Sequence, residues 1–84
     1  MNYTLLIQPK AERTLSSLPR NEFLQVDSRI LSLKDNPRPP GCKKLKGREG
    51  WRIRSGDYRI VYDINDAQRT VLIRDVLHRK DAYR

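Results

Sequence analysis

Cysteine and histidine are almost missing from this sequence: Cys42 and His78 are the only ones among 84 residues. A lone thiol makes no disulfide within the chain, suits a reducing compartment, and cannot assemble a cysteine-based zinc site. Transition metals are thereby left without their usual ligands, so no metal and no cofactor is expected, although carboxylates remain as ligands for a hard cation. Long apolar runs are missing as well. No stretch approaches the roughly 20 apolar residues that a membrane span needs. The start Met1-Asn2-Tyr3-Thr4-Leu5-Leu6-Ile7 lacks the basic start, extended apolar run and small-residue cleavage site of a secretory signal. A cytoplasmic protein with no membrane partner is the expectation.

Acidic residues are also scarce, 10 against 18 lysines and arginines, which leaves a formal charge of +8 and a sequence pI near 10.2. A surplus of one sign repels itself within the folded state and favours a polyanionic partner such as nucleic acid. The competing reading is a basic surface that is merely well solvated. A chain of this length builds one modest core, so residues 1–84 are read as a single domain with any site on its surface.

Tyr3, Leu5 and Ile7 alternate with Asn2, Thr4 and Leu6, which predicts a first strand, mostly buried because Leu6 is apolar too. Pro9 closes it and can open a helix. Ala11, Leu15 and Leu18 then recur at helical spacing up to Pro19. Asn21 is the expected N-cap of a second helix that presents Phe23, Val26, Ile30 and Leu33 on one face. Asn36-Pro37-Arg38-Pro39-Pro40-Gly41 cannot continue a helix. Beyond it, Trp51 and Ile53, then Tyr58, Ile60, Tyr62 and Ile64, then Val71 and Ile73 alternate with other residues as a three-stranded meander, joined by Ser55-Gly56-Asp57 and Asn65-Asp66-Ala67-Gln68. The expected fold is α+β: an αα hairpin on one face of a small, twisted, mostly antiparallel four-stranded sheet in the order β-α-α-β-β-β.

Side-chain parity puts the first hairpin in register. Trp51 and Ile53 share a face with Tyr58, Ile60 and Tyr62 only in an odd-sum pairing, which a two-residue Gly56-Asp57 loop of type II′ satisfies with Ser55 opposite Tyr58. Arg54 then faces Arg59, and Arg52 faces Val61, on the side away from the helices. Like charges directly opposite in a sheet destabilise it by a few tenths to about 1 kcal/mol. Arginine forks match phosphate geometry, so an RNA backbone or an inhibitor's carboxylates would account for the arrangement. In the competing reading, Asp57, Asp63 or Asp75 neutralises these arginines in ordinary surface pairs.

Lys44-Leu45-Lys46-Gly47, Trp51-Arg52-Ile53-Arg54, Gly56-Asp57-Tyr58-Arg59-Ile60-Val61-Tyr62 and Val76-Leu77-His78-Arg79-Lys80-Asp81-Ala82-Tyr83, in that order and spacing, resemble the RelE branch of the RelE/ParE toxin superfamily. The likeness extends to the first strand, the Leu-Pro between the helices and the Asn-Pro-Arg-Pro loop. It implies a RelE-like, microbial-RNase-type fold with a catalytic groove opposite the helices, and messenger-RNA cleavage at the ribosomal A site. By the same resemblance Arg52 and Arg54 contact the RNA backbone, Arg59 stabilises the phosphorane, Arg79 serves the leaving oxygen and Tyr83 is the base. Lys43, Lys44, Lys46 and Arg48 form a basic approach loop for ribosomal or messenger phosphates. His78, whose ordinary pKa is better suited to proton transfer, is the rival base. Trp51, Tyr58 and Tyr62 are read as core residues and Cys42 as incidental. The resemblance further implies a cognate antitoxin, with operator DNA bound through that partner. The ParE branch, which poisons DNA gyrase, and a noncatalytic RNA-binding module are the alternatives.

Overall fold

The computed structural model describes residues 2–82. Along the chain run β1 (Thr4–Ile7), α1 (Pro9–Ser16), α2 (Arg20–Ser32), β2 (Lys43–Lys44), β3 (Trp51–Ser55), β4 (Tyr58–Asn65), β5 (Thr70–His78) and α3 (Arg79–Ala82). The strands form one five-stranded sheet in the order β1-β5-β4-β3-β2. β1 lies parallel to β5, a pairing that the α1–α2 crossover permits, and every other pairing is antiparallel. The expected four-stranded sheet is therefore one strand short. β2 is only two residues long, pairing Lys43 with Arg52 and Lys44 with Trp51, and two lysines carry no apolar periodicity from which a strand could be read.

Pro9 occupies the first turn of α1, where its missing N–H is no loss. α2 starts two residues earlier than its pattern suggested: extended Pro19, not Asn21, is the cap, and its carbonyl accepts from the Phe23 amide at 2.8 Å. Asn21 sits inside the first turn instead. Ala11 and Leu15 of α1, then Val26 and Ile30 of α2 followed by Leu33, pack against Ile53, Ile60, Tyr62, Val71, Ile73 and Val76 of the sheet, all nearly inaccessible to solvent. At about 1.5–3 kcal/mol for each fully buried large aliphatic or aromatic side chain, this layer dominates the folding energy.

The expected burial of β1 is not found: Leu6 and Ile7 are 49% and 36% exposed. β1 is an edge strand, and the helices cover only the face that Tyr3 and Leu5 share with the core. The β3–β4 hairpin follows the parity argument, with Ser55 opposite Tyr58, Arg54 opposite Arg59, Ile53 opposite Ile60 and Arg52 opposite Val61. Gly56 has φ +59° and Asp57 keeps a negative φ, as a type II′ turn needs and a type I′ turn does not allow.

The β4–β5 ladder contains a bulge. Val61 pairs with Asp75 and Tyr62 with Ile73, leaving Arg74 as an extra residue on β5. The bulge lets both Ile73 and Val76 face the core although they are three positions apart. The proline-rich segment is tied down by the buried Tyr62 hydroxyl, which donates to the Pro37 carbonyl at 2.7 Å. At its base the Asp66 carboxylate accepts from the Tyr3 hydroxyl at 2.6 Å and from both ends of the Arg38 guanidinium at 3.2 and 2.9 Å. The Arg38 guanidinium also lies 5.1 Å from the centre of the Trp51 ring.

Candidate nucleic-acid interface

Alternation on β3 and β4 sends Ile53 and Ile60 into the core and must send Arg52, Arg54 and Arg59 the other way. These three guanidinium groups, with Lys43 and the backbone of Gly41, line one recess of about 70 Å³ on the face opposite the helices. Lys43 joins them because β2 pairs it with Arg52. Arg54 is exposed, whereas Arg52 and Arg59 are half-buried. The carboxylates named as possible neutralisers are engaged by other cations: Asp75 lies 3.1 Å from Lys10 of α1, Asp63 3.5 Å from Arg74, and Asp57 4.0 Å from Arg79. Among the described residues, neither Arg52 nor Arg54 is held in an ion pair.

Arg79 opens α3 immediately after β5. Its backbone amide donates to the Asp57 carbonyl at 2.7 Å, extending the β4–β5 ladder to the hairpin turn. The exposed side chain therefore stands at the end of the sheet where Arg54 and Arg59 face each other. Tyr83, the expected base, lies outside the described residues.

His78 is placed on the other face. It pairs with Tyr58, whereas Arg59 pairs with Leu77. Its ring meets Tyr58 edge-on at 5.2 Å, and Nδ1 accepts from the Lys80 amide at 3.2 Å. The two described tyrosines of β4 are equally remote from the arginines. Tyr58 donates to Glu22 at 2.8 Å, which raises its pKa above the ordinary phenol value, and burial pushes the Tyr62 phenol up strongly. Neither is poised to lose a proton near neutrality.

The basic loop divides. Lys43, Lys44, Lys46 and Arg48 are all exposed, but Lys43 points to the arginine recess while Lys44, opposite Trp51, borders a different hollow with Arg38 and Glu49. Arg48 reaches the outer face near Val61, where it meets two cations that sequence reading overlooked, Lys10 and Arg74. The irregular step from Ile73 to Val76 was the available signal for Arg74, because only a bulge keeps both residues in the core. Asp66 was also overlooked as a hub. The Arg38 guanidinium, and after it the Tyr3 hydroxyl, hold its carboxyl down at about 2. Among the described residues no three His, Cys, Asp or Glu side chains gather as metal ligands, and no helix is long and apolar enough to cross a membrane.

Comparison with known proteins gives the chain a lineage. Residues 5–83 match the family model of the ParE toxin of type II toxin–antitoxin systems, parDE. A Methanocaldococcus jannaschii protein named as the toxin RelE1 is 31% identical over 88 residues, an alignment spanning 100% of this chain and 98% of that one. The toxin–antitoxin complex RelBE2 of Mycobacterium tuberculosis contains a chain with a TM-score of 0.80 and 32% identity, covering 93% of this chain and 99% of its own length. The RelE–RelB complex of Pyrococcus horikoshii gives a TM-score of 0.84 at 27% identity, covering 94% and 97%. The chain thus belongs to the RelE/ParE family of toxins from type II toxin–antitoxin systems, and within it to the RelE type.

Proposed function

We propose that this toxin is a metal-independent endoribonuclease that cuts messenger RNA in the ribosomal A site and so stops translation in the cytoplasm. The observation that carries the reading is the gathering of Arg52, Arg54 and Arg59 around one recess, with Arg54 directly opposite Arg59 across the ladder, an arrangement of like charges that costs stability. Cleavage by the RNA's own 2′-hydroxyl needs a base for that proton, charge stabilisation at phosphorus and an acid for the 5′-oxygen. Arg52 and Arg54 hold the strand through its phosphates. Arg59 stabilises the phosphorane, and Arg79, anchored by its amide to the hairpin turn, serves the leaving oxygen. Tyr83 is assigned as the base, a role in which the cations of the site would bring its phenol toward the working pH. Arginine above 12 and an ordinary tyrosine near 10 are poorly matched to proton transfer at neutral pH. The reaction then depends on alignment, which the ribosome supplies by presenting the codon in line, with the exposed Lys43, Lys44, Lys46 and Arg48 meeting nearby phosphates.

A cognate antitoxin completes the reading. Solved relatives include complexes of a RelE toxin with a RelB antitoxin. For this chain an acidic, amphipathic partner would cover the arginine face, with any operator binding belonging to the partner. The deciding experiment maps messenger ends to codon position with and without ribosomes. Ribosome-dependent cuts that vanish in Tyr83→Phe and persist in His78→Gln are expected; a Tyr83→Phe variant that cuts at the wild-type rate refutes the assignment of the base. The name of the matched family model keeps gyrase inhibition as a second reading. Inhibition of gyrase supercoiling by a chain that cuts no messenger would establish it.

A further inference from the structure

The outer face holds a second recess, of about 180 Å³, that the arginine chemistry does not use. Ligand pockets for drug-sized molecules run from about 300 to 1,000 Å³. This one suits a single flat ring rather than a whole nucleotide. Leu77 and the nearly buried Val61 supply its apolar part, and Gln8, Lys10, Arg48, Arg74 and Asp75 its polar part. It adjoins the arginine recess directly. Arg59 pairs with Leu77 and Val61 with Asp75, so Asp75 lies two residues along the sheet from Arg59, about 7 Å at the ordinary rise of a strand.

We propose that this recess takes one base of the RNA strand whose phosphates the arginines hold, and that the Asp75 carboxylate accepts a hydrogen bond from the base's exocyclic amino group, so that adenine, cytosine or guanine is preferred over uracil. The proposal rests on the reading of the arginine face as an RNA site. An ionised carboxylate accepts and never donates. Uracil offers a carbonyl oxygen where cytosine offers an amino group, and two acceptors repel. The Val61 and Leu77 side chains cover one face of the ring, and the Arg48 or Arg74 guanidinium can stack on the other, as arginine does on splayed single-stranded bases. One Asp75 oxygen accepts from the Val76 amide at 2.9 Å and the other faces Lys10 at 3.1 Å. A carboxylate has about four acceptor positions, so two remain for a base.

The rival account is that Asp75 only pins α1 to the sheet through Lys10. The Lys10 side chain is 69% exposed and Asp75 17%, so the pair alone does not use up the carboxylate. The two accounts part in base preference. Messengers that differ only in the base next to the cut, set in turn to A, C, G and U, are cleaved by the full-length chain on translating ribosomes. At one of the flanking positions the wild-type chain is expected to disfavour uracil about tenfold. Asp75→Asn, which can donate as well as accept, should bring that ratio to within about twofold of unity, while Lys10→Met should preserve it. Equal ratios for wild type and Asp75→Asn, or loss of the ratio in Lys10→Met, overturn the proposal. Affinities for short oligoadenylate and oligouridylate are measured on the same proteins and do not depend on cleavage. A chain that cuts nothing would refute the nuclease reading, yet the recess would still be decided: tighter adenylate binding that Asp75→Asn abolishes supports it, and equal affinities overturn it.

Discussion

The two faces of the β3–β4 hairpin are built from alternate residues of the same strands and answer to opposite demands. Toward the helices, Ile53, Ile60 and Tyr62 are at most 1% exposed and meet a continuous apolar layer. Away from them, Arg52, Arg54 and Arg59 line one recess together. The helix side is explained by folding. The outer side, where Arg54 stands directly opposite Arg59, costs stability by placing like charges face to face, and this is what the proposed RNA site accounts for. A site can therefore be recognised by where a fold departs from its own interest.

Neighbouring residues allow this contrast to be broken directly. Ile60→Ala should cost about 2–5 kcal/mol in urea unfolding. Arg59→Ala, one position away, should cost clearly less in unfolding than Ile60→Ala and lower messenger cleavage by about 10²–10³-fold, the usual loss for a transition-state donor. If the two substitutions had similar effects on stability, the division of labour between the faces would be wrong. Tyr62→Phe keeps the ring but leaves the Pro37 carbonyl without its hydroxyl donor, and should cost about 1–3 kcal/mol. Arg54→Gln should raise stability by a few tenths to about 1 kcal/mol at low salt, by removing one of two guanidinium groups placed opposite each other. The gain should shrink in 1 M salt, where the screening length falls to about 3 Å.

The smallest effect concerns the Asp66 hub, which is exposed. Its carboxyl is held at about 2, below the ordinary aspartate value near 3.9, chiefly by Arg38. A depressed carboxyl stabilises the fold above the unfolded value and loses that contribution as pH falls from about 4 to about 2. Thermal unfolding of Asp66→Asn should therefore show a flatter acid limb than the wild-type chain over that window, and should match it only at the acid end.

The hairpin, its register and the outward arginines were legible because strict alternation leaves one consistent pairing, and the glycine of Gly56-Asp57 names the turn. Three features escaped for physical reasons. Lys43–Lys44 forms a strand through backbone pairing alone, with no side-chain pattern to announce it. The exposure of Leu6 depends on β1 lying at an edge, and hydrophobicity along a segment does not say where in a sheet it will sit. Pro19 caps α2 through its extended backbone rather than a side chain, whereas propensity favoured Asn21. At the site, parity decided Arg52, Arg54 and Arg59, and the β4–β5 pairing was needed to turn His78 away from them. The second outer recess stayed hidden because Lys10, Arg48 and Asp75 come from three distant parts of the chain, and only the assembled sheet brings them together.

The extra residue at Arg74 separates the lengths of the two surfaces. Without it, Ile73, Asp75 and Val76 would alternate inward, outward and inward, and the apolar side would keep its contacts. The ladder can thus gain or lose one position on its solvent side without disturbing what lies beneath. A lineage carrying this fold is free to reshape its contact surface by single-codon insertion or deletion at that point, a kind of change that elsewhere in a packed sheet would turn the interior inside out.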